Sequence, residues 1–343
     1  MPPLVNRNIV DKPGFRVNNI PMKELTVGKN DAGQRLDRFV GKAVPLLPES
    51  LLQKYIRLKR IKLNGKGAKR DTRLSEGDVL SLYINDEFFE KPREENSYLK
   101  VGTPRLDVVY EDENILLVDK KPGVLCHSAG QWDWNTLIAN IQARAYQSGE
   151  WRPREENSFA PALCNRIDRN TGGIVIAAKT AEALRVMNEK IKEREIEKYY
   201  LCVVRGRPRP AEGILRGFIF KDAAKNRVYV RQRPEPGAKE AVTYYRTLGS
   251  ANGFSLVECR LGTGRTHQIR AQMAAAGTPL LGDGKYGSDR ENKKLGEDGQ
   301  LLYSYRLEFA FRTDAGPLNY LNGRSFSVEK VGFAEKYFPD IRF

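Results

Sequence analysis

Asn165-Arg166-Ile167-Asp168-Arg169-Asn170-Thr171-Gly172-Gly173 lies between two apolar runs, Pro161-Ala162-Leu163-Cys164 before it and Ile174-Val175-Ile176-Ala177-Ala178 after it. This pattern predicts strand, tight polar turn, strand. In that reading the glycine pair supplies backbone angles that other residues resist. A carboxylate on such a turn is held on rigid supports at a cleft edge, where a nucleophile or general base belongs. Two readings of Asp168 stand at this point. It is a functional carboxylate, or it only closes its own turn, as aspartates in turns commonly do.

The chain around this stretch is strongly basic. Its 343 residues carry 58 Lys+Arg against 43 Asp+Glu, a net charge of +15. That length allows two domains and a sizeable core, and that balance favours a polyanionic partner. No long apolar run and no basic amphipathic anchor supports a membrane partner. The stretch Met1 to Pro21 is polar and lacks the apolar core of a signal peptide, so a cytoplasmic setting is expected. Cys126, Cys164, Cys202 and Cys259 are widely spaced within apolar runs and read as small core residues rather than a disulfide frame. Only two histidines are present, His127 and His267, which argues against a histidine-rich metal site. No Walker-type phosphate loop and no strand-linked G-x-G-x-x-G appears, so no nucleotide cofactor is expected. A catalyst built from this chain works mainly with carboxylates, Tyr, Arg and Lys.

Outward from the central stretch, the chain is expected to divide into a tail over 1–22, a compact basic module over 23–89, a charged linker over 90–100 and a larger domain over 101–343. In the module, Arg35-Leu36-Asp37-Arg38-Phe39-Val40 begins a helix and Pro48-Glu49-Ser50 begins a second. Between Leu51 and Arg73 lie nine Lys/Arg and one acid. Lys54 and Arg57 share a helical face, and Lys59, Arg60 and Lys62 continue the charge. An ordinary solvated helix face would explain single charges; a run this one-sided beside Asn64-Gly65 points to phosphate binding. The larger domain shows more strands than helices, short connections and a hairpin signal at Asn252-Gly253. Thr180 is placed to cap a helix with Leu184, Met187 and Ile191 in one stripe. The expected class is α+β, with a mixed, largely antiparallel sheet and peripheral helices.

Two further segments carry chemistry. In Leu261-Gly262-Thr263-Gly264-Arg265-Thr266-His267-Gln268-Ile269-Arg270 a glycine-rich turn leads into a helix. Thr266 is the expected cap, Ile269, Met273 and Ala276 the buried side, and Gly277 the end. Arg270 then falls in the first turn, where the helix dipole disfavours a cation unless an anion meets it. In Lys198-Tyr199-Tyr200-Leu201-Cys202-Val203-Val204-Arg205-Gly206, Tyr200, Cys202 and Val204 face one way on a strand. Tyr200 is a core ring or a stacking surface at the sheet edge.

Residues 35–78 resemble the small α-L RNA-binding domain named for ribosomal protein S-four. The resemblance rests on the R-L-D-x-F start at Arg35, on Ile61-Lys62-Leu63-Asn64-Gly65 and on the L-x-x-G-D close at Leu74. From Leu106 to Phe311 the chain resembles the RluA-type family of pseudouridine synthases. The carriers, in order, are R-I-D-R-N-T-G-G, K-Y-Y-L-C-V-V-R-G, L-G-T-G-R-T-H-Q-I-R and Gly282-Asp283-Gly284-Lys285-Tyr286-Gly287. The resemblance implies the synthase fold and an RNA uridine isomerase that needs no cofactor and no metal. It places the nucleophilic aspartate on Asp168, the active-site tyrosine on Tyr200 and the paired arginine on Arg270. It leaves Arg265 as the second candidate for that pairing or as a phosphate contact, and Arg166 as an RNA contact. The family usually has His where Asn165 stands and Ser where Gly172 stands. Burial disfavours a charged carboxylate and a close arginine restores it, so this chemistry requires an Asp168–Arg270 pair. Structured ribosomal RNA of the large subunit (23S) is the expected partner, with transfer RNA second, and the protein is expected to act as a monomer. A non-catalytic ribosome assembly factor on the same fold is the alternative, and an RNA methyltransferase lacks any cofactor loop.

Overall fold

A computed structural model describes residues 22–89, 97–130, 133–153 and 158–343. The expected tail, up to Pro21, and linker residues 90–96 lie outside them. The chain divides into two compact units, Met1–Arg93 and Glu94–Phe343.

The first unit is a four-stranded antiparallel sheet with two helices. Its elements are β1 (Met22–Thr26), α1 (Leu36–Ala43), α2 (Glu49–Arg57), β2 (Ile61–Leu63), β3 (Lys66–Gly67) and β4 (Val79–Tyr83). The sheet order is β1-β4-β2-β3. Leu36, Phe39 and Val40 recur at helical spacing, as do Leu52, Tyr55 and Ile56, so each helix buries one face against Ile61, Leu80 and Leu82. Asn64 and Gly65 both take positive φ and turn β2 back into β3.

The second unit contains β5 (Val108–Glu111), β6 (Ile115–Lys120), α3 (Leu137–Gln147), β7 (Ala162–Leu163), β8 (Gly172–Ala178) and α4 (Ala181–Lys192). Then follow β9 (Ile196–Arg205), β10 (Glu212–Asp222), β11 (Arg227–Arg231), β12 (Lys239–Ala251), β13 (Phe254–Leu261) and α5 (Gln268–Ala275). The chain closes with α6 (Asp289–Leu295), β14 (Leu302–Phe309), β15 (Ser325–Ser327) and α7 (Gly332–Tyr337). Eleven strands form one sheet ordered β11-β10-β12-β13-β9-β14-β8-β6-β5, with β15 on β14 and β7 on β8. This is the expected mixed, largely antiparallel sheet. All its pairings are antiparallel except β14 with β8, which run parallel through two residue pairs, Tyr303↔Gly172 and Ser304↔Gly173. That short seam joins two antiparallel blocks. β8 is buried at every position, which is why it reads as an unbroken apolar run.

Three expectations need correction. Gly172 and Gly173 are strand residues at the seam, not turn residues. A side chain at Gly172 would collide with the Tyr303 ring, and one at Gly173 with the Ser304 backbone. The chain between β7 and β8 is therefore an eight-residue connection, Cys164 to Thr171, and not a tight turn. Thr266 does not cap α5; His267 does, in the left-handed region at φ 52° and with no side-chain cap bond. α5 also lacks an exposed face over its first six residues, and Ala276 lies past its end and is exposed. Finally, Ser97–Lys100 form a 3-10 turn rather than linker. Tyr98 packs edge-on against Tyr146 and Trp151, at centroid distances of 5.4 and 5.1 Å.

Candidate active site

Asp168 lies on the connection between β7 and β8, and its carboxylate opens into a cavity of about 550 Å³. Arg270, in the first turn of α5, donates from Nη1 to Asp168 Oδ2 at 2.9 Å. The rest of the guanidinium is committed elsewhere. Nε and Nη2 donate to the two oxygens of Asp283 at 2.7 and 2.9 Å. Asp283 also accepts from the backbone N–H groups of Lys285 and Tyr286. Side-chain exposure falls along this line, from 27% at Asp168 to 8% at Arg270 and 0% at Asp283. Burial opposes the charge on Asp283, but the Arg270 fork outweighs it and holds the carboxyl below its usual range. Burial likewise works against the Arg270 charge, and the two carboxylates raise its pKa in spite of it. The cation that the helix dipole disfavours is thus fixed from two sides.

Tyr200 projects from β9 into the same cavity wall with 7% of its surface exposed. Burial pushes its phenol up to about 12; Ser304 relieves part of this and the Asp168 charge adds to it. At neutral pH the ring is therefore uncharged. His267 is placed beside the aspartate, with Nε2 3.8 Å from Asp168 Oδ2, beyond hydrogen-bond reach. Its Nδ1 pairs with the Tyr286 hydroxyl at 2.9 Å, and that hydroxyl accepts from Val228 N. Burial lowers the His267 pKa, so the imidazole is neutral at pH 7. A non-glycine residue in the left-handed region next to such a site is a common mark of function.

The approach to α5 is held by Gln268. Its Oε1 accepts from Thr263 Oγ1 and Arg265 N, and its Nε2 donates to Val242 O and Thr243 Oγ1. The connection carrying Asp168 is held by Lys120. This buried lysine donates to the carbonyls of Lys121, Val124 and Arg169 at 3.1, 2.8 and 2.9 Å. Burial pulls its ammonium down to about 8. Asn165 adds another tie, its Oδ1 accepting from Ile176 N at 2.8 Å.

Of the remaining residues singled out above, Arg166 and Arg265 both line the cavity. Arg265 Nε donates to Glu240 O at 2.9 Å and does not pair with Asp168. Lys54, Arg57, Lys59, Arg60 and Lys62 belong to the first unit. There Arg57 and Lys59 join Lys69 and Arg70 around a second concavity, which Lys54 does not line. Arg60 lies over the Tyr55 ring and Lys62 over the Tyr83 ring, each at 5.1 Å. Asp283, His267 and Lys120 were not assigned roles from sequence. Asp283 was visible there only as part of the Gly282-to-Gly287 motif that carries the resemblance.

Comparison with known proteins decides the family. The model of the RNA pseudouridylate synthase family matches residues 114–275. An uncharacterized RNA pseudouridine synthase of Mycoplasma genitalium is 33% identical over 83% of this chain and 88% of its own length. The chain belongs to the RluA-type family of RNA pseudouridine synthases. Among its curated relatives, ribosomal large subunit pseudouridine synthase D of Neisseria meningitidis is 32% identical over 83% of this chain and 74% of its own. The fold agrees: human RNA pseudouridylate synthase domain containing 1 superposes with a TM-score of 0.52 at 20% identity, covering 70% of this synthase and 89% of that chain. The synthase is thus an isomerase acting on uridine in RNA. Among the described residues no helix is long and apolar enough to cross a membrane.

Proposed function

We propose that this synthase isomerises specific uridines of large-subunit ribosomal RNA in the cytoplasm, with Asp168, Tyr200 and Arg270 carrying the chemistry. The observation that carries this reading is the Asp168–Arg270–Asp283 line, which opens at Asp168 into a nucleoside-sized cavity. Isomerisation breaks the N1–C1′ bond and forms a C5–C1′ bond within one nucleoside. N1 gains a proton and C5 loses one, so atoms and electrons balance without a co-reactant. Asp168 starts the cleavage through its cavity-facing carboxylate, which the Arg270 hydrogen bond aims. The target base leaves its stack at a cost of a few kcal/mol. The neutral Tyr200 ring offsets part of this by stacking, worth roughly 1–3 kcal/mol. Arg166 and Arg265 meet phosphates at the cavity mouth. The basic residues of the first unit, which resembles the S-four domain, meet phosphates of the folded RNA.

Ribosomal RNA is favoured because curated relatives at about this similarity are named as large-subunit synthases. The test is isomerisation of total RNA from a strain lacking the gene, by wild type and by Asp168→Ala. Pseudouridines are mapped by carbodiimide treatment and reverse transcription. New sites in large-subunit RNA with wild type alone are expected. Sites in transfer RNA only would replace the substrate. Tight binding by both proteins with no new site on assembled or naked RNA would leave a non-catalytic assembly factor.

A further inference from the structure

β9 sends a second side chain into the cavity. Lys198 lies two residues before Tyr200 on the same strand and lines the same wall, where Cys164 and Ile191 are apolar neighbours. The two fully buried lysines of this unit are well satisfied: Lys120 by three carbonyls, and Lys190 by Glu195 and Thr313. Lys198 is different. Among the described residues its Nζ has neither a hydrogen-bond acceptor nor a carboxylate partner. Burial pulls its ammonium below the ordinary lysine range, with no anion to restore it. A partly buried cation without a partner costs stability. Its position is explained by an anion that the described residues do not supply. RNA supplies one such anion per nucleotide.

We propose that Lys198 binds a phosphodiester of the RNA next to the uridine that enters the cavity. The proposal rests on the reading of this cavity as the uridine site. The exposed cations Arg166 and Lys221 in the same cavity attract RNA at a distance. Lys198 instead makes a short-range contact, because a desolvated ammonium gains most when an anion reaches it. The contact would fix how deeply the backbone sits beside Asp168.

The test uses full-length protein and a large-subunit rRNA transcript. Binding is measured against KCl concentration in the Asp168→Asn background, with Lys198 intact or changed to Met, Gln or Arg. Turnover is measured with the same Lys198 changes in otherwise wild-type protein. Lys198→Met and Lys198→Gln are expected to raise KM about 10-fold, with most of the loss in KM. They should also flatten the slope of log Kd against log salt by about 0.7–1. Lys198→Arg should restore the slope. Because the substitution removes an unpaired buried charge, Lys198→Met should raise the melting temperature of the free protein. A loss confined to kcat with an unchanged slope would place Lys198 on the base instead and overturn the proposal. So would variants that bind and turn over as wild type does. If wild type forms no pseudouridine but the slope changes as expected, the phosphate contact stands and the isomerase reading of the cavity fails.

Discussion

Arg270 holds one positive charge between two carboxylates of unequal burial, and their tasks differ accordingly. Asp283 is sealed and takes two of the guanidinium's donors; Asp168 stands at the rim and takes the third. Asp283 therefore acts as a positioning residue, working through Arg270. Asp283→Asn keeps the shape and removes the charge. It is expected to lower kcat about 100-fold by misplacing the Arg270–Asp168 pair, and to cost about 3–5 kcal/mol of stability. Single-turnover kinetics and calorimetry check the two effects separately. His267 gives a pH signature. Its folded pKa lies below the ordinary value of 6.5, so the unfolded chain takes up the proton first as pH falls. The stability it contributes is complete above pH 6.5 and is lost as pH falls through the lower folded value. NMR titration should show the imidazole midpoint below 6.5. Asp168→Asn should lower it further, because the Asp168 charge pulls it upward; an upward shift would contradict the geometry. That Asp168, Tyr200 and Arg270 meet at one cavity was legible because each sits in a dense motif of fixed order. Asp283 was not. It meets Arg270 only because the chain reverses after α5, and no local signal reports which side chain a reversing chain brings back.

Elements whose cause is local were readable. Asn252 and Gly253 take positive φ and close the β12–β13 hairpin with Ala251 opposite Phe254. Thr180 accepts from Ala183 N and caps α4. Elements whose cause is distant were misread. Gly172 and Gly173 look like turn glycines because the residues that exclude a side chain there, Tyr303 and Ser304, come from β14. Tyr303 is itself fixed by its hydroxyl donating to Asp119 at 2.6 Å. Gly172→Ser is expected to destabilise the fold by about 1–3 kcal/mol through overpacking. Tyr303→Leu in the same chain should recover part of the loss. A double-mutant cycle by denaturant unfolding should then give a coupling of about 0.5–3 kcal/mol. Additive losses would show that the ring is not what excludes the side chain.

At the scale of the whole molecule, the net charge of +15 predicts RNA affinity that falls steeply with salt. Replacing Arg57, Lys59, Lys69 and Arg70 with Gln removes the four cations around the first unit's concavity. The slope of log Kd against log salt should flatten by about 3, measured by filter binding on large-subunit rRNA. A slope unchanged within error would move the RNA off that surface. The seam between β14 and β8 bears on how the enzyme comes into being. Asp168 hangs from the β8 side, whereas Tyr200 and Arg270 belong to the β9–β13 side. Within the blocks β5–β6, β10–β11 and β12–β13 are local hairpins, whereas the seam joins residues far apart in sequence and closes later. In refolding followed by stopped-flow circular dichroism, return of isomerase activity should lag behind return of secondary structure. Until the blocks dock, a newly made chain is basic enough to hold RNA yet chemically silent, so the cell gains a modifying enzyme only from molecules that have finished folding.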